Sequence, residues 1–201
     1  VSTASSAITQ QLDYYDRFCD SIVKTKADTS LHYIESYMRL AEKHNAKKHI
    51  ASAYFYMAKY HMISGRKTNV AETFFESLRI YEEAHDTLGI ARLHLALARL
   101  NQQEQNYIEA INYYNKSWKF YEQINNGHWL HHTLNELGAL YYQLREFEQA
   151  QYYFMLALRS NIRFRQPDKA ASSINNIALS YANMEKRDEA MRAFLLSLKV
   201  S

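Results

Sequence analysis

The sequence predicts an all-α fold, a solenoid of about five helical hairpins, and three observations carry that reading. The first is composition. The 201 residues include four Gly and one Pro, too few to punctuate the turns of a β-sandwich or barrel, and 47% are apolar, which excludes a disordered or collagen-like chain. The second is a fixed period. A shift of 40 residues superposes Ala58, Ala98, Gly138 and Ala178, and likewise Val70, Ala110, Ala150 and Ala190. It also superposes Phe74, Tyr114, Phe154 and Phe194, then Ser77, Ser117, Ala157 and Ser197. A repeat of this length marks an array of supersecondary units. The third is helical spacing inside each period: Leu134, Leu137, Tyr141 and Leu144 recur at three and four residues, as do Ala150, Phe154, Ala157 and Leu158.

Taken in order, residues 1–7 (VSTASSA) are small and polar and read as a linker-like or disordered start. Helices are expected near 8–25 and 29–44, a hairpin (8–47) that repeats only weakly. Met38 and Leu40 match Leu78 and Ile80, but Phe18 and Ser30 fit the small rows poorly, as in an atypical capping unit. Four full repeats follow at about 48–87, 88–127, 128–167 and 168–200. Their helices are expected near 48–64 and 68–84, 88–104 and 107–123, 129–144 and 147–164, 168–184 and 187–200. Small residues on the second helices let paired backbones approach, and the aromatic row fills the space between hairpins. Gly65, Gly89 and Gly127 are expected at connections, where Gly ends helices, and Pro167 in a first turn, where its missing N–H is harmless. Phe194, Leu195, Leu196 and Leu198 have no following helix to cover them, so the array is expected to continue past the C-terminus.

Function classes narrow quickly. Twenty-four Lys and Arg against 21 Asp and Glu give +3, interspersed along the chain, so no nucleic-acid partner is expected. The lone Cys19 excludes an internal disulfide and a cysteine-rich metal site, and it suits cytoplasm or periplasm. No apolar run reaches the roughly 18 residues of a membrane span. Neither GxGxxG nor GxxxxGK[ST] occurs, and Cys19 on an amphipathic helix reads as packing, so no catalytic residue and no cofactor is expected. His128, His131 and His132, with Glu136, have ligand-like spacing at a helix start, but no second cluster accompanies them and no metal site is assigned. Most of the 17 tyrosines, Tyr113, Tyr114, Tyr152 and Tyr153 among them, fall on second helices and read as core or seam. Arg159, Arg163, Arg165 and Lys169 gather at one hairpin junction, where the helix macrodipole favours cations.

The pattern small–x–x–Tyr, then small–x–x–x–aromatic–x–x–small, resembles the tetratricopeptide repeat. Its best copies are Gly138 and Tyr141 with Ala150, Phe154 and Ala157, and Ala178 and Tyr181 with Ala190, Phe194 and Ser197. The resemblance covers residues 48–200 well and 8–47 weakly. The period is 40 instead of 34, which is similar to the longer-repeat subclass of kinesin light chains and bacterial signalling proteins. Asp20-Ser21-Ile22-Val23, Ala27-Asp28-Thr29 and the helix ends Ile80-Tyr81-Glu82-Glu83 and Phe120-Tyr121-Glu122-Gln123 resemble repeat regions of Bacteroidetes-type regulators. The resemblance implies a right-handed superhelix that binds proteins or peptides without catalysis, as the sensing or interaction region of a larger signalling protein. It favours a periplasmic location, as part of a membrane-anchored protein, over a cytoplasmic one. A cytoplasmic peptide-pheromone-type receptor and a static assembly scaffold are the alternatives.

In such a hairpin the first helix lines the concave side. The helical register places Phe55, Lys59, Arg92, Leu95, Arg99, His132, Asn135, Tyr142 and Asn175 in that groove. Lys59, Arg92 and Arg99, with no acid among the groove positions, predict a clamp for an acidic or C-terminal-carboxylate peptide. Asn135 and Asn175, one period apart, are matched by amides that contact peptide backbone in the resembled subclass. They suit equally well a hydrogen bond to a neighbouring repeat. Phe55, Leu95 and Tyr142 are the expected apolar anchors, and homodimerisation through the bare last helix is expected.

Overall fold

The computed structural model describes residues 2–25, 28–65 and 69–200. Among them are ten α-helices and no strand: α1 (Ser2–Ile22), α2 (Asp28–Lys43), α3 (Lys47–Ile63), α4 (Val70–Glu83) and α5 (Thr87–Gln103) come first. Then follow α6 (Tyr107–Gln123), α7 (Gly127–Gln143), α8 (Phe147–Arg163), α9 (Pro167–Asn183) and α10 (Arg187–Val200). A single 3₁₀ turn, Val23–Thr25, follows α1. Residues 2–7, read from sequence as linker-like, are the first turns of α1. Residue 1 lies outside the described part. Pro167 opens α9, where its fixed φ is already helical.

The side chains repeat every 40 residues, but the backbone repeats every 20. Asn45, Gly65, His85, Gln105, Asn125, Arg145, Arg165 and Glu185 all have φ between 49° and 74°. Each left-handed residue closes a helix. At the seven of these turns other than that at Gly65, the amide of the following residue donates back across the turn, as Ala46 N–H does to the Ala41 carbonyl, Asn126 to Tyr121 and Gln166 to Asn161. This is the Schellman arrangement, and the same residue's carbonyl starts the following helix, as Ala46 does for Ile50. At those seven turns three residues therefore satisfy both the end of one helix and the start of the next. Only Gly65 among these positions is free of the Cβ penalty for φ > 0. Gly89 and Gly127, expected at helix ends, lie instead in the first turns of α5 and α7. The reason is close approach: a β-carbon at Gly89 would collide with ring carbons of Tyr81, and one at Gly127 with ring carbons of Phe164.

Contacts divide the chain into two compact units, residues 1–100 and 101–201. In the first, Ile34, Tyr37, Tyr56, Tyr60, Phe74, Tyr81 and Leu93 are fully buried. Ser77 Oγ donates to the Ala51 carbonyl (2.7 Å) and the Ser52 and Tyr81 hydroxyls are 2.9 Å apart, so α3 and α4 are joined by satisfied polar contacts as well as by packing. Cys19 is fully buried, and burial pushes its thiol up to about 12, which makes it an inert core residue.

In the second unit Tyr114, Tyr121, Leu137, Leu140, Ala150 and Ala157 fill the core. Phe154 packs with Ala150 and Ile177 against Tyr141, Tyr142, Leu158 and Tyr181. The small row admits that ring, because Gly138 lies under it. Asn161, fully buried, donates to Ser173 Oγ at 3.1 Å. Tyr114 is buried as its row demands, but Tyr152 is 55% exposed, because it lies on the outer stripe of α8. On α10, Met191, Leu195 and Leu198 share one stripe and are each more than half exposed.

Candidate functional site

The predicted groove residues of the first unit do not form a free cationic row. Phe55 and Leu95 are core residues, 4% and 3% exposed. Phe55 instead forms, with Tyr56, an aromatic floor under two cations. The Arg92 guanidinium lies 5.1 Å from the Phe55 ring centre, and Lys59 Nζ lies 5.2 Å from it. Arg92 donates to the Tyr56 hydroxyl at 2.7 Å and faces Asp16 and Asp20 of α1 at 3.9 and 3.6 Å. Lys59 reaches Asp20 at 3.4 Å. Burial lowers the Lys59 pKa, while Asp20 pulls it the other way.

Arg92, read from sequence as part of a groove clamp, is therefore a partly buried residue in a network of two cations and two carboxylates. The network continues through Tyr37, whose hydroxyl donates to Asp16 (3.3 Å) and lies 2.8 Å from His49 Nδ1. His49 in turn approaches Asp13 at 3.7 Å. The acidic members were missed because the groove row began in the second hairpin. Asp13, Asp16 and Asp20 stand at i, i+3 and i+7 on α1, a stripe visible in the sequence. Arg99 is half-buried in α5.

In the second unit the first helices, α7 and α9, present an open polar face. Ser172, Asn175, Leu179 and Ala182 of α9 are all exposed, as is Ala139 of α7, while His132, Asn135 and Tyr142 are half-buried. Side-chain amides tie the two helices together. Asn176 donates to Asn135 Oδ1 at 3.0 Å, and Asn183 donates to the Tyr142 hydroxyl at 2.6 Å. Gln143 lies within hydrogen-bond reach of both Gln102 and Tyr107, at 3.4 Å from each. Asn135 thus uses its carbonyl oxygen on the neighbouring repeat, while Asn175 makes no such bond among the described residues and is exposed. Asn176, not singled out from sequence, is the partner.

The three histidines of α7 point to different tasks. His128 accepts from Lys169 (2.8 Å), and desolvation followed by the Lys169 charge lowers its pKa. His132 pairs with Glu136 at 3.1 Å, and Glu136 also accepts from Tyr114 (3.3 Å). His131 is buried, its Nδ1 has no partner, and burial above all holds it down at about 4. Among the described residues no three His, Cys, Asp or Glu side chains converge on a metal position. None of the described helices is long and apolar enough to cross a membrane.

The tetratricopeptide-repeat family model matches residues 170–201, the last hairpin. No curated protein sequence matches the chain. Solved structures match throughout its length. A putative kinesin light chain from Podosopora anserina with nearly identical TPR-like repeats superposes with a TM-score of 0.72 at 12% identity, covering 94% of each chain. The apo form of RapI gives 0.75 at 14% identity, covering 96% of this chain and 65% of that one. A signal transduction ATPase from Pyrococcus horikoshii with a tetratricopeptide repeat sensor gives 0.70 at 20% identity, over 92% of this chain and 30% of that one. At these identities the likeness concerns fold. The last hairpin matches the tetratricopeptide repeat by sequence, and the chain as a whole has the all-α helical-repeat fold of these tetratricopeptide-repeat structures.

Proposed function

We propose that this chain is a non-catalytic peptide-binding module, the sensing or interaction region of a larger signalling protein. The observation that carries the proposal is the open face of α7 and α9, where exposed small and polar residues flank aligned amides. Asn135 keeps its N–H donors for a ligand, and Asn175 keeps donor and acceptor together, so both can grip an extended backbone whatever its side chains. Tyr142 and Leu179 supply the apolar contact beside them. In the Pyrococcus ATPase a tetratricopeptide repeat is the sensor, which supports a signalling context.

The cations of the first unit enter this reading differently. An acidic ligand segment would have to exchange with Asp16 and Asp20 at Arg92 and Lys59, so these residues act as an internal competitor for acidic partners. The exposed stripe Met191, Leu195 and Leu198 supports a second role for α10, association of two copies. Selection of a random peptide library against this chain tests the main reading. Selected peptides should lose affinity for Asn135→Ala and Asn175→Ala. Peptides indifferent to both would place binding elsewhere.

A further inference from the structure

A second recess lies on the opposite kind of surface, between second helices. Trp118 and Glu122 of α6 form one wall, Leu130 and Leu134 of α7 the floor, and Leu156, Arg159, Ser160 and Arg163 of α8 the other wall. The register explains the grouping. Residues 118 and 122, 130 and 134, and 156, 160 and 163 each share a helix face. The cleft holds about 260 Å³. An apolar cavity of about 150 Å³ accommodates benzene, and drug-sized ligands occupy pockets of roughly 300–1,000 Å³. This volume therefore suits one ring or branched side chain together with a small polar head.

The polar groups are disposed by sign. Arg159 and Arg163 stand one turn apart on the α8 wall, about 6 Å along its axis. Arg163 already donates to Asn125 (2.6 Å) and lies over the Phe164 ring, whereas Arg159 is exposed and makes no ion pair or hydrogen bond among the described residues. The Glu122 carboxylate stands on the facing α6 wall, exposed and equally unpaired. On the α8 wall, next to Arg159, Ser160 is 6% exposed, and its buried Oγ has no hydrogen-bond partner among the described residues. Buried hydroxyls are normally satisfied, so an unpartnered one lining a recess points to a missing polar atom.

We infer that this cleft binds a free α-amino acid with a large apolar side chain, such as phenylalanine or leucine. The side chain occupies the recess formed by Trp118 and the three leucines. The α-carboxylate lies against Arg159, with Arg163 second and Ser160 Oγ donating to it. The α-ammonium lies against Glu122. Apolar burial supplies the affinity, and the opposed charges select a zwitterion over a simple acid or amine. The site shares no residue with the α7–α9 face, so its failure leaves the peptide-binding reading standing.

Calorimetric titration of this chain with L-phenylalanine tests the inference, with the Trp118 indole N–H resonance as a local reporter. Phenylalanine should bind and shift that resonance, and lysine should not. N-acetyl-phenylalanine and phenylalaninamide, each lacking one charge, should bind at least tenfold more weakly. Arg159→Ala should weaken phenylalanine about tenfold or more, and Glu122→Gln should weaken phenylalanine while leaving N-acetyl-phenylalanine unchanged. Both side chains are exposed and unpaired, so circular dichroism and melting of the variants should match the parent chain. Absence of phenylalanine binding to the folded chain overturns the inference. So does N-acetyl-phenylalanine binding as tightly as phenylalanine, which would make the occupant an apolar carboxylate or a peptide end.

Discussion

Gly138→Ala is the sharpest probe of how the repeats close on one another. A β-carbon at Gly138 would lie 2.7 Å from Cδ1 and Cε1 of Phe154 and 3.2 Å from Cζ. Carbon atoms pack best at roughly 3.5–4.0 Å, so the ring must withdraw by about 1 Å. It has little room. Phe154 is 3% exposed and enclosed by Ala150, Ile177, Tyr141, Leu158 and Tyr181. Overpacking of this kind costs about 1–3 kcal/mol, while alanine in place of glycine inside a helix returns about 1 kcal/mol. The net expectation is a loss of about 1 kcal/mol, or roughly 2–4 °C in melting temperature for a chain of this size. Urea unfolding followed by circular dichroism measures it. In a Phe154→Leu background the obstruction is gone, so the same Gly138→Ala change should become neutral or stabilising. If Gly138→Ala alone stabilises the chain by the full helix-propensity gain, the ring moves freely and the close-packing argument is wrong.

Other expectations follow from the polar clusters. Arg92→Ala leaves the Asp16 and Asp20 carboxylates facing each other without a guanidinium, and should destabilise the chain by about 1–3 kcal/mol in chemical unfolding; Arg92→Glu should be worse. His131 has a folded-state pKa near 4, below the ordinary value of 6.5, so the unfolded chain takes up the proton first as pH falls. Its contribution should be constant above about pH 6.5 and decline between 6.5 and 4, by at most on the order of 3 kcal/mol. His131→Leu should flatten that part of the stability–pH curve. Leu195→Ser with Leu198→Ser should abolish any concentration-dependent dimer seen by light scattering without lowering helix content.

The architecture was legible because the packing rows repeat: a small residue every 40 positions, then an aromatic, then another small residue, leave few alternatives to stacked hairpins. The turns were less legible. Gly marks only one of the eight left-handed helix ends, and residues such as Arg145 and Glu185 adopt positive φ there because the reciprocal hydrogen bonds of each turn outweigh a Cβ penalty of roughly 1–2 kcal/mol. Gly89 and Gly127 looked like helix stops because composition cannot show that an aromatic ring sits over the backbone. The first-helix row includes Lys59, Arg92 and Phe55, which lie together as a packed cluster instead of a free groove lining, and it gives no sign that Asp16 and Asp20 meet the two cations from α1. Long-range charge pairing depends on which hairpins face each other, and sequence periodicity carries no sign of charge.

The most direct test of peptide recognition is to map binding onto the backbone. A peptide selected from a random library is titrated into ¹⁵N-labelled chain, and amide shift changes are recorded with and without Asn135→Ala plus Asn175→Ala. Changes should concentrate on α7 and α9 around Asn135, Ala139, Tyr142, Asn175 and Leu179, and should be lost, with the fold intact, in the double variant. Changes confined to α6, α8 or α10, or unaltered by the two substitutions, would contradict peptide recognition at this face.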